Sequence, residues 1–282
     1  MCDEYFAPFI VPTENERITL KTLKDLLPEN NESKVVPQVL SSDAEVFCEF
    51  AKKLKYLGFD EVNLNLGCPS GTVIKKSRGA GALREPDALD RFLDGIFAGS
   101  DIKISIKTRV GFNSHSEFER LLEIYNKYPV SELIIHPRVR EEYYKGEPNL
   151  ETFDKAYNNT SLKLCYNGDI KNAEDYNKIT RKYDKLNSVM IGRGAVKNPA
   201  IFREIRGGKR LETEELIAFS KALEEEYLKL LGSYTYTFHR LKEIWMMMIL
   251  NFPNEQKIFK AIKKSGRMDE INSAICCLPE LK

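Results

Sequence analysis

Cys68 stands between Gly67 and Pro69 in the run EVNLNLGCPSG, residues 61–71. Val62, Leu64 and Leu66 alternate there with Asn63 and Asn65, the period of a strand with unlike faces, and Gly67 ends it. A thiol at the mouth of a strand can be a nucleophile, a metal ligand, a proton donor or a small apolar filler. No histidine lies near it in sequence to form a Cys–His nucleophile. The six cysteines, Cys2, Cys48, Cys68, Cys165, Cys276 and Cys277, show neither CxxC nor Cys/His ligand spacing, so no metal site is expected. A thiol keeps its proton at neutral pH unless a base or cation draws it off, so Cys68, with Asn65 alongside, is either a small apolar filler or a group that could serve as an acid.

Other polar residues recur at the ends of apolar runs. Gln38 lies in KVVPQVL, Lys107 and Arg109 in KISIKTRVG, His136 and Arg138 in LIIHPR. Lys107 must either snorkel or meet a negative partner, and His136 is either a satisfied core histidine or a ligand. Asn167, Gly168 and Asp169 form an NGD turn, and Gly192, Arg193 and Gly194 form a GRG turn that opens into AVKNPAIF. Either is an ordinary turn alone; together they offer backbone N–H groups for a phosphate, with Arg193 as countercharge.

These residues need elements to position them. Strands are predicted near 5–10, 34–40, 61–66, 103–108, 132–136, 162–166 and 187–191, with helices over 42–57, 86–98, 115–128, 149–157 and 172–182. The alternation predicts an α/β fold, a TIM-type (β/α)8 barrel with its site at the carboxyl ends of the strands. Seven strands are read where the barrel uses eight; the gap from Ile10 to Lys34 holds TLKTLKDLL, a helical pattern. Beyond Arg206 the pattern is helical over 212–231, 234–252, 254–266 and 268–278. Residues 1–206 are therefore expected to form the barrel and 207–282 a helical bundle, jointed at Gly207 and Gly208.

The 282 residues carry 43 basic against 42 acidic groups, a net charge of +1, which excludes a global polycation. Nucleic-acid binding would need a local patch. Lys257, Lys260 and Lys264 share one helical face, with Lys263 and Arg267 alongside. No apolar run approaches the ~18 residues of a membrane span, and a reduced, cytoplasmic, monomeric protein is expected.

The runs NLNLGCPSGTVIKKSRGAGALREP, IKTRVG, HPRVREEYYKG, YNGDI and MIGRGA, in this order, resemble the tRNA-dihydrouridine synthases. The likeness spans residues 34–205, and HRLKEIW resembles the family's RNA-binding domain. It implies FMN as cofactor, NADPH as reductant and tRNA as partner, with hydride reaching C6 of a uridine and Cys68 giving the proton to C5. It also implies that Gln38, Lys107 and His136 hold the flavin ring, that Asn167, Gly168, Asp169, Gly192 and Arg193 hold its phosphate and ribityl chain, and that Arg138 and Arg140 face RNA. On this reading Asn65 attends the substrate, and Lys260 and Lys264 are the tail's RNA contacts.

Two departures qualify the likeness. YFAPFIVP only echoes the family's APMxG strand, and its spacing to VPQV fits the second family strand, so the first strand and helix are expected to be absent and barrel closure and FMN retention to suffer. The family's HxRT reads HPRV, without the hydroxyl. Two other readings remain open: a flavin barrel of the dihydropyrimidine or dihydroorotate dehydrogenase kind, against which the helical tail weighs, and a flavin-free RNA-binding remnant.

Overall fold

The period-two run at 61–66 folds as a strand, and its neighbours in sequence are its neighbours in space. The computed structural model describes residues 2–12, 23, 26, 27, 31, 33–252, 255–276, 278 and 279. Its strands are β1 (Glu4–Phe6), β2 (Lys34–Val36), β3 (Gln38–Val39), β4 (Glu61–Leu66), β5 (Lys103–Gly111), β6 (Leu133–Val139), β7 (Leu164–Tyr166) and β8 (Ser188–Val189). β2 and β3 are halves of one strand parted at Pro37, which has no N–H to give. Pairing with the first strand runs past the break: Ala7 donates to the Val36 carbonyl, Ile10 to Gln38, and Leu40 to Ile10. The eight segments thus make seven parallel strands in sequence order, the TIM-type arrangement. Among the described residues β8 and β1 are not paired with each other, and no eighth strand is present. The helix expected over TLKTLKDLL lies largely outside the described residues.

Two compact units divide the chain. One is built from Cys2–Gly168 and Tyr183–Met190, the other from Asp169–Lys182 and Ile191–Lys282. In the first, helices α1 (Ala44–Tyr56), α2 (Gly71–Ile74), α3 (Pro86–Gly99), α4 (Phe118–Tyr125) and α5 (Leu150–Asn159) separate the strands. Local chemistry sets their starts. Asp43 accepts from the Val46 N–H, Pro86 opens α3, and Asn149 accepts from the Thr152 N–H. Leu64, Leu66, Ile106, Leu54 and Leu93 are fully buried between sheet and helices. β5 and β6 each run three residues beyond the expected ends at Thr108 and His136. A charged residue ordinarily ends a buried strand, but here the Arg109 and Arg138 guanidinium groups are met by carbonyls, so the strands continue.

The second unit holds α6 (Ala173–Lys182), α7 (Arg193–Lys197), α8 (Ile201–Ile205), α9 (Thr213–Leu231), α10 (Tyr234–Met248), α11 (Glu255–Lys264) and α12 (Met268–Ile275). Leu216, Trp245, Met248, Ile249, Phe252, Ile262, Ile271 and Ile275 form its core. The Trp245 indole N–H, which burial would otherwise leave unsatisfied, donates to Ser220 Oγ at 2.7 Å. Among the described residues no helix is long and apolar enough to cross a membrane, and no cluster of His, Cys, Asp and Glu could hold a metal ion.

Candidate active site

Side chains alternate along a strand, so one face of β4 carries Leu64 and Leu66 and the other Asn63 and Asn65. On β5 the polar face carries Ser105, Lys107 and Arg109, and on β6 His136 and Arg138. The register sets Gln38 beside Asn63, Asn65 beside Lys107, and Arg109 beside His136. A chain of buried amides follows. Asn65 Nδ2 donates to Gln38 Oε1 at 2.7 Å, Gln38 Nε2 to Asn63 Oδ1 at 2.8 Å, and Asn63 Nδ2 to Ser105 Oγ at 2.9 Å. Its direction is set at one end: Asn65 Oδ1 accepts the backbone N–H groups of Gly67 at 3.0 Å and Cys68 at 2.9 Å, so only its NH2 can face Gln38.

Asn65 thereby fixes the turn that carries Cys68, whose thiol is half-buried. Two further contacts lock the turn. The Cys68 carbonyl accepts from Ala80 N–H at 3.1 Å, and the Gly67 carbonyl accepts from Arg109 Nε at 2.9 Å. Arg109 is 1% exposed, and its other nitrogens donate to the carbonyls of Val139 at 2.9 Å and Tyr143 at 2.8 Å. One guanidinium therefore ties together the thiol's turn, the end of β6 and the loop beyond it. Gly79 closes the arrangement from the other side: its φ is +55°, and a Cβ there would lie 2.8 Å from the Cys68 carbonyl oxygen. Gly79→Ala is expected to cost about 1–2 kcal/mol in urea unfolding, from left-handed strain and displacement of the Cys68 turn.

Lys107 is half-buried beside this turn, and among the described residues its ammonium has no hydrogen bond or ion pair. Burial first, and the Arg109 guanidinium next, bring its pKa from 10.5 down to about 8. His136 is buried, and its Nε2 lies 3.0 Å from Arg138 Nη1. A guanidinium can only donate, so Nε2 accepts and the ring proton sits on Nδ1. Tyr144, 52% exposed, stacks against His136 with centroids 6.2 Å apart.

The remaining expected residues fall in three places. Arg138, expected to face RNA, is fully buried and donates to the carbonyls of Lys145 at 3.1 Å and Gly146 at 2.6 Å, so it fastens the loop after β6. Arg140 stays nearer the surface, paired with Glu141 at 2.6 Å and donating to Tyr143 Oη at 2.7 Å. Asn167 Nδ2 donates to the Met190 carbonyl at 2.9 Å, and a Cβ on Gly168 would lie 2.8 Å from Tyr166 Oη. In the second unit, Arg193 donates to Asp169 Oδ1 at 2.7 Å, and Gly192 precedes α7. Lys260 and Lys264 are exposed on α11, without ion pairs among the described residues. Asn63, Gly79 and the bracing role of Arg109 escape a reading by sequence. The available signals were Asn63 two residues before Asn65, which puts both on one face, and the GAG triplet returning toward Cys68.

A family model described as Dihydrouridine synthase (Dus) matches residues 6–272. The chain belongs to the dihydrouridine synthase family. The TIM-type α/β architecture described above is the fold of that family. Among curated relatives, the tRNA-dihydrouridine synthase B of Shewanella oneidensis is 28% identical over 202 residues, covering 70% of this chain and 62% of the relative. A probable tRNA-dihydrouridine synthase of Staphylococcus aureus is 30% identical over 207 residues, covering 71% and 62%. The tRNA-dihydrouridine(16) synthase of Neisseria meningitidis serogroup B is 26% identical over 285 residues, covering 97% of this chain and 85% of the relative. The chain thus spans less than two thirds of the first two relatives and most of the third.

Proposed function

We propose that this dihydrouridine synthase family member reduces the C5=C6 bond of a uridine in tRNA, with FMN as cofactor and NADPH as reductant. The observation that carries the reading is the Cys68 turn, pinned by Asn65, Arg109 and Ala80 on the strand next to the partnerless Lys107 ammonium. A half-buried cation without a partner fits a cofactor whose ring system takes on negative charge. Bound FMN would supply the hydride. Cys68 would deliver the proton to C5, the work of a general acid. Asn65 orients that thiol through the backbone, and Lys107 offsets negative charge. Gln38, itself held by Asn65 and Asn63, and His136 would line the flavin ring. Asn167, Gly168, Asp169, Gly192 and Arg193 would serve its phosphate and ribityl chain, and Arg140 would meet RNA, with Arg138 acting through the loop it fastens.

The test is to incubate the protein with FMN, NADPH and an unmodified tRNA transcript. Dihydrouridine in the transcript and none from free uracil or orotate is the expected result. Reduction of the free bases alone would make it a free-base flavin barrel. Residues 207–282 are proposed as the tRNA-binding helical part, with the exposed face of α11 as a contact. Charge reversal at both Lys260 and Lys264 is expected to flatten the log–log salt dependence of tRNA binding by about one to two units. An unchanged slope would assign that face to solvent.

A further inference from the structure

Residues 70–84 leave the Cys68 turn and come back to it. They hold α2 and a 3₁₀ turn, Gly79–Arg84, and carry Lys75, Lys76, Arg78 and Arg84 with no acid before Glu85. Lys75, Lys76 and Arg84 are exposed, and among the described residues none of the four makes a side-chain hydrogen bond or ion pair. Lys52, Lys53, Arg91 and Lys163 of the same unit are likewise unpaired among the described residues, whereas residues 70–84 carry their cations on a segment that returns to the Cys68 turn. Arg78 Nε is buried and has no partner at all.

The segment is fixed where it returns to the Cys68 turn. Ala80 N–H donates to the Cys68 carbonyl, and Gly81 packs so closely on α2 that a Cβ would lie 2.8 Å from Ile74 Cα. The Arg84 guanidinium lies over the Phe112 ring at 4.2 Å, and Arg140 lies over the same ring at 5.5 Å and over Tyr143 at 4.9 Å. Arg84 and Arg140 thus share the buried Phe112 ring, and Tyr143, 38% exposed, lies beside Arg140. Uncompensated cations repel one another, and a polyanion relieves that cost. Cations beside an exposed aromatic ring suit unstacked nucleotides, whose phosphates and bases they can meet.

We propose that residues 70–84 form a phosphate-binding edge, on which Lys75, Lys76 and Arg84 take the backbone phosphates of the RNA nucleotides flanking the one presented to Cys68. The inference rests on the reading of RNA as the substrate. The test is equilibrium binding of the whole protein to an unmodified tRNA transcript, followed by fluorescence anisotropy over a range of salt concentrations. Lys75→Ala/Lys76→Ala leaves the Arg84–Phe112 packing intact and is expected to flatten the log–log slope by about 1.4–1.8 units, with Arg84→Ala removing somewhat under one more. Wild-type slope and affinity in the double variant would overturn the proposal, as would a wild-type protein that does not bind the transcript. Failure of the underlying activity shows separately, as a wild-type protein that binds the transcript with the predicted slope and forms no dihydrouridine.

Discussion

Cys68→Ala is expected to slow dihydrouridine formation by about 10²–10⁴-fold, the usual loss when a general acid is removed, while NADPH bleaches bound flavin at the wild-type rate. The contrast between the two half-reactions follows from how the turn is held. Asn65 receives the Cys68 backbone N–H, Ala80 gives to its carbonyl, and Arg109 gives to the Gly67 carbonyl. None of these contacts uses the sulfur. Alanine therefore leaves the turn and its surroundings in place and deletes only the thiol. A single-turnover measurement separates the steps: flavin reduced in advance, unmodified tRNA added, and reoxidation followed. Reoxidation by tRNA at the wild-type rate in the alanine variant would remove Cys68 from the mechanism. Loss of flavin reduction as well would mean that the thiol supports the cofactor rather than the uridine.

The strands were legible because their patterns are local. Val62, Leu64 and Leu66 against Asn63 and Asn65 announce a two-faced strand, and the structure uses both faces, one toward helices and one for the amide chain. The gathering of polar residues at the strand ends was legible for the same reason, since in parallel sheets the residues after the strand ends converge. What each polar side chain does there was not. Arg138 reads as a surface cation at a strand end, yet its donors are spent on the carbonyls of Lys145 and Gly146. The partners that bury it are unpaired carbonyls of a loop, which no composition or period reveals. Arg109 is the same case across greater separation, joining positions 67, 139 and 143. Residues 169–182 and 191–206, which read as ordinary barrel connections, group with the helices that follow.

Lys107→Met is expected to make the flavin-free protein more stable and the flavin-binding protein worse. Burial holds the Lys107 pKa near 8 against 10.5 for a free side chain, and this difference is a cost that the folded state bears whenever the ammonium is charged. At about 1.4 kcal/mol per unit, methionine, which keeps most of the stem's volume without the charge, should gain on the order of 3 kcal/mol at pH 7. The sign over pH is fixed by linkage. Between pH 8 and 10.5 the unfolded chain binds more protons than the folded one at this residue, so wild-type stability rises with pH there. The advantage of the variant is therefore full below pH 8 and fades toward pH 10.5. Urea unfolding of both flavin-free proteins at pH 7 and pH 10 measures it. Flavin affinity should move the other way, at least tenfold weaker in the variant, because the role proposed for this cation is to offset the negative charge of a bound ring. A methionine variant with lower stability at pH 7 would mean that an internal contact already compensates the ammonium. A variant with wild-type flavin affinity would mean that the charge has some partner other than the cofactor.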